Sequence, residues 1–334
     1  MKKVALVVLM SLVAVGLVMA GAQAEAAASQ EDGLAWIVEP GEDPILPGVN
    51  PILVEGDVVA AGSSTVFPLA EEVIARWYDE GYSASASTVY TSVGTGAGFE
   101  RFDSGDSDIS GASRPIKDSE RDAAAANGVE AEEFIVAFDA LAVVVHPSNT
   151  WATELTIAEL NTAFSTATTW ADVRDGFPEV AITRYSPGTD SGTFDYFVEA
   201  VFDEDEEPIL TADRIQFSED DNVLVQGVEG DEGAIGYFGF AYYVEESDRL
   251  TAVNVESVTP SAATVADGTY PLARPIFIYS DAEYMRTKPQ VAAFINFFLT
   301  VSSEEARDVG YFPAPTERLN AAKQRWVEIM DGLY

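Results

Sequence analysis

RYSPGTDSGTFDYF, Arg184–Phe197, runs out of an apolar strand pattern, through a loop of small and hydroxyl residues, into a helix pattern. Phe194, Phe197, Val198, Val201 and Phe202 recur at spacings of three and four, which is one face of a helix. VAITRY ahead of the loop reads as a strand. A helix start carries free backbone N–H groups and the positive end of the peptide dipoles. Placed after a strand and dressed with hydroxyls, it is an anion-binding device that needs no formal positive charge.

Working outward, the same pattern recurs. GSST (Gly62–Thr65) and GTGAG (Gly94–Gly98) each follow a strand pattern and precede a helix pattern, as TDSGT (Thr189–Thr193) does. A fourth loop, GASRPI (Gly111–Ile116), adds Ser113 and Arg114, whose guanidinium suits bidentate bonding to an oxyanion. Each loop alone reads as ordinary helix capping. Four in one chain, all at the carboxyl ends of strands, fall where open α/β sheets bind ligands.

The rest of the chain alternates in the same way. DVVAA, STVYTSV, ALAVVV, GAIGYFGF and RPIFIY read as strands. Leu69, Val73, Ile74 and Trp77 mark a helix face with Ser64 or Thr65 at its cap, and Thr156 with Glu159 forms a capping box. Thr287 with Pro289 opens a helix bearing Val291, Phe294, Ile295 and Phe298; Thr316 opens a last one through Trp326 and Ile329. The expectation is an α/β fold with mainly parallel sheets. Residues 25–54, with Pro40, Pro44, Pro47 and Pro51, read as an extended arm or linker, and Asp203–Glu207 as a solvated acidic loop.

Lys2 and Lys3, the apolar run Val4–Ala20 and the small residues Ala22-Gln23-Ala24 form a secretory signal peptide over residues 1–24. An uncleaved anchor is the alternative, because the run approaches the length of a bilayer span. The chain has no cysteine, which removes both a lipid-anchor site there and any disulfide. The expected location is the periplasm or the exterior, with stability from core burial. The net charge of −38 makes nucleic acid a poor partner. A salty habitat or a basic partner would each account for such acidity.

A secreted phosphatase or esterase with Ser191 as nucleophile is an alternative that the sequence argues against. Ser191 stands outside a G-x-S-x-G elbow, and a hydroxyl nucleophile needs a base, for which the one histidine, His146 beside Pro147, is the sole candidate. One histidine and no cysteine make a poor metal set, and GTGAG lacks the spacing of the third glycine in a dinucleotide loop. No cofactor is expected. A surface adhesin built on the same scaffold is a further alternative.

AGSSTVFPLAEEV, SVGTGAGFERF, DISGASRPI and RYSPGTDSGTFDYF, with LAVVVHPSN and GAIGYFGFAYY, resemble in that order the periplasmic phosphate-binding proteins of bacterial phosphate ABC transporters. The resemblance covers Asp57 to Leu319. It implies a two-domain periplasmic binding protein (type II-like), each domain a mixed, mostly parallel sheet flanked by helices, joined by a two-stranded hinge. The implied domains are 55–140 with 272–334, and 141–271, with crossings near Phe138–Val143 and Pro271–Tyr279. It implies phosphate as ligand, a membrane permease as partner, and a monomer. Another tetrahedral oxyanion, sulfate or molybdate, is the alternative ligand.

Carried over position by position, the resemblance assigns phosphate binding to Ser64, Thr65, Thr95, Gly96, Ser113, Arg114, Ser191, Gly192 and Thr193. One position departs from the pattern. Where the best-known branch has an aspartate that accepts the phosphate proton, this chain has Arg114. The arginine that branch carries just before Ser-Gly-Thr has no match; Arg184 lies upstream and reads as a surface charge. The expectation is a swap, with Arg114 as the cation and Asp190 orienting it or accepting the proton.

Overall fold

The computed structural model describes residues 35–38, 41, 43–82, 87–189 and 191–331. The signal peptide and Asp190 lie outside the described residues.

Two lobes share one curled, mixed sheet. In the first lobe, β1 (Val58–Gly62) is followed by α1 (Phe67–Asp79), β2 (Thr88–Ser92) by α2 (Thr95–Asp103), and β3 (Ile109–Ala112) by α3 (Asp118–Ala126). β1 lies between β2 and β3, parallel to both. The chain then enters β4 (Ala131–Val145), a single long strand. In the second lobe come α4 (Ile157–Ala163), β5 (Thr183–Pro187), α5 (Gly192–Phe202), β6 (Ile215–Ser218), α6 (Asp221–Glu229), β7 (Ala234–Gly239) and α7 (Phe240–Glu245). The path returns through β8 (Ala273–Asp281) and ends in α8 (Pro289–Asp308) and α9 (Thr316–Met330). The strand order is β2-β1-β3-β8-β4-β7-β5-β6.

β4 is what makes one sheet into two lobes. Its first part, Ala131–Ala140, pairs antiparallel with β8, and from Leu141 to Val145 it pairs with β7 instead. The amide of Leu141 bonds the carbonyl of Leu272 at 2.9 Å, so the outgoing and returning strands touch at the switch. Val136, Leu141, Val143 and Val144 are fully buried, as expected of a strand covered on both faces. ALAVVV is thus the end of a longer strand. Glu132, Glu133 and Asp139 hide its beginning from a hydropathy reading, and each is partnered: Arg325 on Glu132, the Tyr279 hydroxyl on Glu133, Arg274 on Asp139. The parallel pairs lie in the outer parts of each lobe, and the strands around the switch are antiparallel.

α5 buries the face its spacing predicts. Phe194, Phe197, Val198, Val201 and Phe202 are all buried, with Phe197 stacked on Tyr237 at 3.8 Å between centroids. Ser191 caps the helix by accepting the Thr193 amide at 3.2 Å. The capping box at Thr156 and Glu159 is present.

The described part of the arm lies along the first lobe. Trp36 meets Trp326 of α9 edge-on at 6.5 Å, and Asn296 of α8 donates to the Pro47 carbonyl at 3.2 Å. Asp43 takes the Lys323 ammonium at 2.5 Å and the amides of Ile45 and Leu46 at 2.8 and 3.0 Å. Burial pushes the Asp43 carboxyl up, but Lys323 and the two amides outweigh it and hold the group below its ordinary 3.8. A carboxylate lowered in the folded state stabilises above its unfolded pKa, and that stabilisation is lost as pH falls through the folded value. The strap therefore loosens in acid, at about pH 4 and below. Asp43→Ala leaves Lys323 buried and unpaired, a loss of about 3 kcal/mol. Hydrogen exchange checks both: protection across 43–54 falls in the variant at neutral pH and in the wild type in acid.

Candidate functional site

The loops after β1, β2 and β3 meet on a cleft of about 450 Å³ between the lobes, lined by Ser64, Thr65, Thr95, Gly96, Ser113 and Arg114 from the first lobe and by Asp195 and Glu199 of α5 from the second. Ser191, Gly192 and Thr193 line an adjoining cavity of about 570 Å³ together with Asp139 and Tyr311. Gly192 lines the second of these only, but it lies against the first loop. A Cβ there would stand 3.4 Å from the Ser64 carbonyl oxygen and the Thr65 nitrogen, so the start of α5 abuts the first loop across the lobes.

Ser64 and Thr65 do not cap α1. Its N-cap is Val66, with no side-chain bond, and Ser63 takes the local turn by accepting the Thr65 amide at 3.2 Å. That frees two hydroxyls for the cleft. Ser64 Oγ reaches across the lobes to donate to Asp195 Oδ2 at 2.7 Å. Thr65 Oγ1 accepts from the Arg274 guanidinium. Thr95 is the first residue of α2; its Oγ1 lies 3.1 Å from Ser113 Oγ and accepts the Ser113 amide at 3.3 Å. A Cβ on Gly96 would meet nothing within 4 Å, so this turn is open to a ligand.

Arg114 is held by Glu120 in a two-pronged bond of 2.9 and 2.7 Å. Glu120 also accepts the Lys117 amide at the start of α3. Burial pushes the Glu120 carboxyl up, and Arg114 with the Lys117 amide more than offsets it, leaving the group lowered. The same bonds raise Arg114, which stays fully charged. The position of Glu120, three residues after Lys117, signals its bond to the Lys117 amide, and nothing local signals its pairing with Arg114.

Arg184 is neither a surface charge nor a cleft residue. It is fully buried, and its guanidinium donates to the carbonyls of Ala163 and Asp213, each at 2.5 Å, and of Ala167. Burial lowers its pKa to about 10, which leaves it protonated at neutral pH. His146 follows β4 and accepts the Ser148 amide at 3.0 Å, a turn-closing bond. The acidic run after α5 is not only a solvated loop, since Glu204 and Glu206 border the cleft.

The residue the sequence reading missed is Arg274. It is 6% exposed and yet lines the cleft. Its Nη1 bonds Glu199 Oε2 at 2.8 Å, its Nε lies 3.5 Å from Asp139 Oδ2, and its guanidinium carbon sits 3.6 Å from the centre of the Tyr196 ring. Asp139 faces it across the paired strands β4 and β8. Burial raises the Asp139 carboxyl, with Arg274 opposing. RPIFIY carries no motif beyond a strand pattern, so nothing local marked this arginine.

The family model described as the PBP superfamily domain matches residues 22–302. The chain belongs to the PBP superfamily. Within it, the chain is a member of the substrate-binding protein family that includes PstS. Protein SphX of Synechococcus elongatus is 44% identical over 280 residues, covering 80% of this chain and 81% of SphX. Phosphate-binding protein PstS of Staphylococcus haemolyticus is 34% identical over 267 residues, covering 78% of this chain and 82% of PstS. The crystal structure of a possible phosphate binding protein from Planctomyces limnophilus superposes with a TM-score of 0.76 at 35% identity, covering 83% of this chain and all of that one. The resemblance read from the four loops and the two-lobed α/β expectation are both borne out.

Proposed function

We propose that this chain is an extracytoplasmic, monomeric solute-binding protein that captures inorganic phosphate between its lobes and delivers it to the membrane permease of an ABC transporter. The observation that carries this reading is the convergence of three strand-end loops on one interlobe cleft, with the start of α5 against the first of them. The names of this chain's relative PstS and of the Planctomyces structure point to the same ligand. The protein acts by binding and release, without catalysis. Residues 1–24 direct it out of the cytoplasm and are removed. The lobes are 55–140 with 272–334, and 141–271, hinged where β4 leaves its pairing with β8 for β7.

Phosphate is bound by Ser64, Thr65, Thr95, Gly96, Ser113, Arg114, Ser191, Gly192 and Thr193, with Asp190 accepting its proton. Glu120 already orients Arg114, which leaves the proton-accepting role to Asp190. Phosphate near neutrality keeps a proton and sulfate does not. A carboxylate among donors therefore satisfies one and repels the other. Charge-assisted bonds contribute about 1.5–3 kcal/mol each, so a handful reaches roughly micromolar affinity after desolvation and closure. The bulk negative charge does not forbid this, because surface charges beyond about 10 Å are screened at 0.1 M salt while these donors act at contact.

Calorimetry of the protein stripped of phosphate, with phosphate, arsenate and sulfate, tests the reading. Phosphate and arsenate bind and sulfate does not. Arg114→Ala costs about 2 kcal/mol, roughly thirtyfold in Kd. Asp190→Asn admits sulfate. Tight sulfate binding by the wild type would instead make this a receptor for another oxyanion.

A further inference from the structure

We infer that Arg274 is a second phosphate-binding cation, and that Glu199 occupies it as a displaceable stand-in when the cleft holds no anion. The inference rests on the phosphate reading above and adds to it a residue outside the four loops.

Arg274 has the properties of a ligand-binding cation more fully than Arg114 does. A guanidinium offers five N–H donors. Here one reaches Thr65 and one reaches Glu199, while Nε, buried and 3.5 Å from Asp139, makes no well-formed hydrogen bond. A buried guanidinium with donors to spare, bordering a cleft, is an unfinished coordination shell. One of its present partners is Thr65 Oγ1, so an oxygen bound at that hydroxyl lies within reach of the same guanidinium.

The two carboxylates around it differ in how easily they leave. Asp139 is fixed on β4 with its side chain only 6% exposed. Glu199 stands on α5 with its side chain 36% exposed, and swings into water by rotamer change alone. A carboxylate that departs toward solvent is rehydrated at little cost, whereas a buried one would leave an unpaired charge. Phosphate entering the cleft thus replaces Glu199 on Arg274, and Asp139 stays as the permanent counter-ion. Arg274 lies on the strand returning from the second lobe, bonds the first loop of one lobe and α5 of the other, and so couples anion arrival to the relative setting of both.

The test is a double-mutant cycle read by calorimetry with inorganic phosphate on the full mature chain. Glu199→Gln removes the competitor and tightens phosphate binding roughly tenfold, the worth of one charge-assisted bond. Arg274→Gln weakens it by about thirtyfold or more. In the Arg274→Gln background, Glu199→Gln brings no tightening, because its effect passes through the arginine. Weaker or unchanged binding in Glu199→Gln overturns the inference, as does tightening that persists without Arg274, which would mark a general charge effect. Should Arg274→Gln fail to fold by thermal melting, Arg274→Lys replaces it in the cycle: the single charge survives, the fork to Thr65 does not, and weakening is again expected. A wild type that binds no phosphate defeats the proposed function itself; a wild type that binds while Glu199→Gln behaves like it defeats only the exchange.

Discussion

Gly62→Ala is expected to leave the first lobe unable to close its sheet, with a loss above about 4 kcal/mol and little soluble protein. Gly62 ends β1 at φ +152°, and a Cβ there would lie 2.0 Å from the Gly111 carbonyl oxygen and 2.7 Å from its nitrogen. Both are backbone atoms of the paired strand, so no rotamer relieves the contact. The same carbonyl oxygens do structural work nearby: Gly111 O accepts the Ser63 amide at 2.9 Å, and Gly62 O accepts the amides of Val93 and Gly94 at 2.9 and 3.0 Å. The first three loops are pinned to one another at this point. Gly98 and Gly111 complete the interlock, since a Cβ on Gly98 would stand 2.6 Å from the Gly62 Cα and one on Gly111 would stand 2.1 Å from the Tyr90 hydroxyl. Denaturant unfolding measures the loss, and a shift below about 1 kcal/mol would show that the strands can spread. Gly96→Ala is the control, with open space around it.

That contrast bears on what the sequence could reveal. Glycine-rich loops after strands announce close approach or a ligand, and GSST and GTGAG contain both kinds. Gly62 and Gly98 serve packing between loops, while Gly96 faces open space. Local patterns recovered what depends on nearest neighbours along the chain: the α5 face and the Thr156–Glu159 box. They failed where a charge is neutralised from far away. Ser64 and Thr65 read as caps because a hydroxyl before a helix is the commonest cap, yet their partners, Asp195 and Arg274, are brought in by the second lobe and the returning strand. Asp139 broke the pattern of β4 for the same reason. A charged residue inside an apolar strand signals a distant partner, but it does not say which one.

Arg184 is the other side of that lesson and carries the last large effect: Arg184→Leu is expected to cost the second lobe about 3–5 kcal/mol. Leucine fills much of the volume but leaves the carbonyls of Ala163 and Ala167 buried without donors, each at about 1–3 kcal/mol, while that of Asp213, an exposed residue, turns to water. These carbonyls belong to the end of α4, the turn after it and the loop before β6, so one guanidinium ties three segments to β5. Removing the charge as well returns the cost of burying it, which keeps the total below the sum of the orphaned groups. Arg184→Lys rescues little, because one ammonium cannot span three carbonyls set in a fork. β5 leads directly into the loop before α5, so the loosened strand also disturbs the proposed phosphate-binding residues at the start of α5. The expected pair of results is a lowered unfolding midpoint and a phosphate Kd that rises in both variants. A variant with wild-type stability would mean that water replaces the guanidinium, and that the second lobe keeps β5 in place without it.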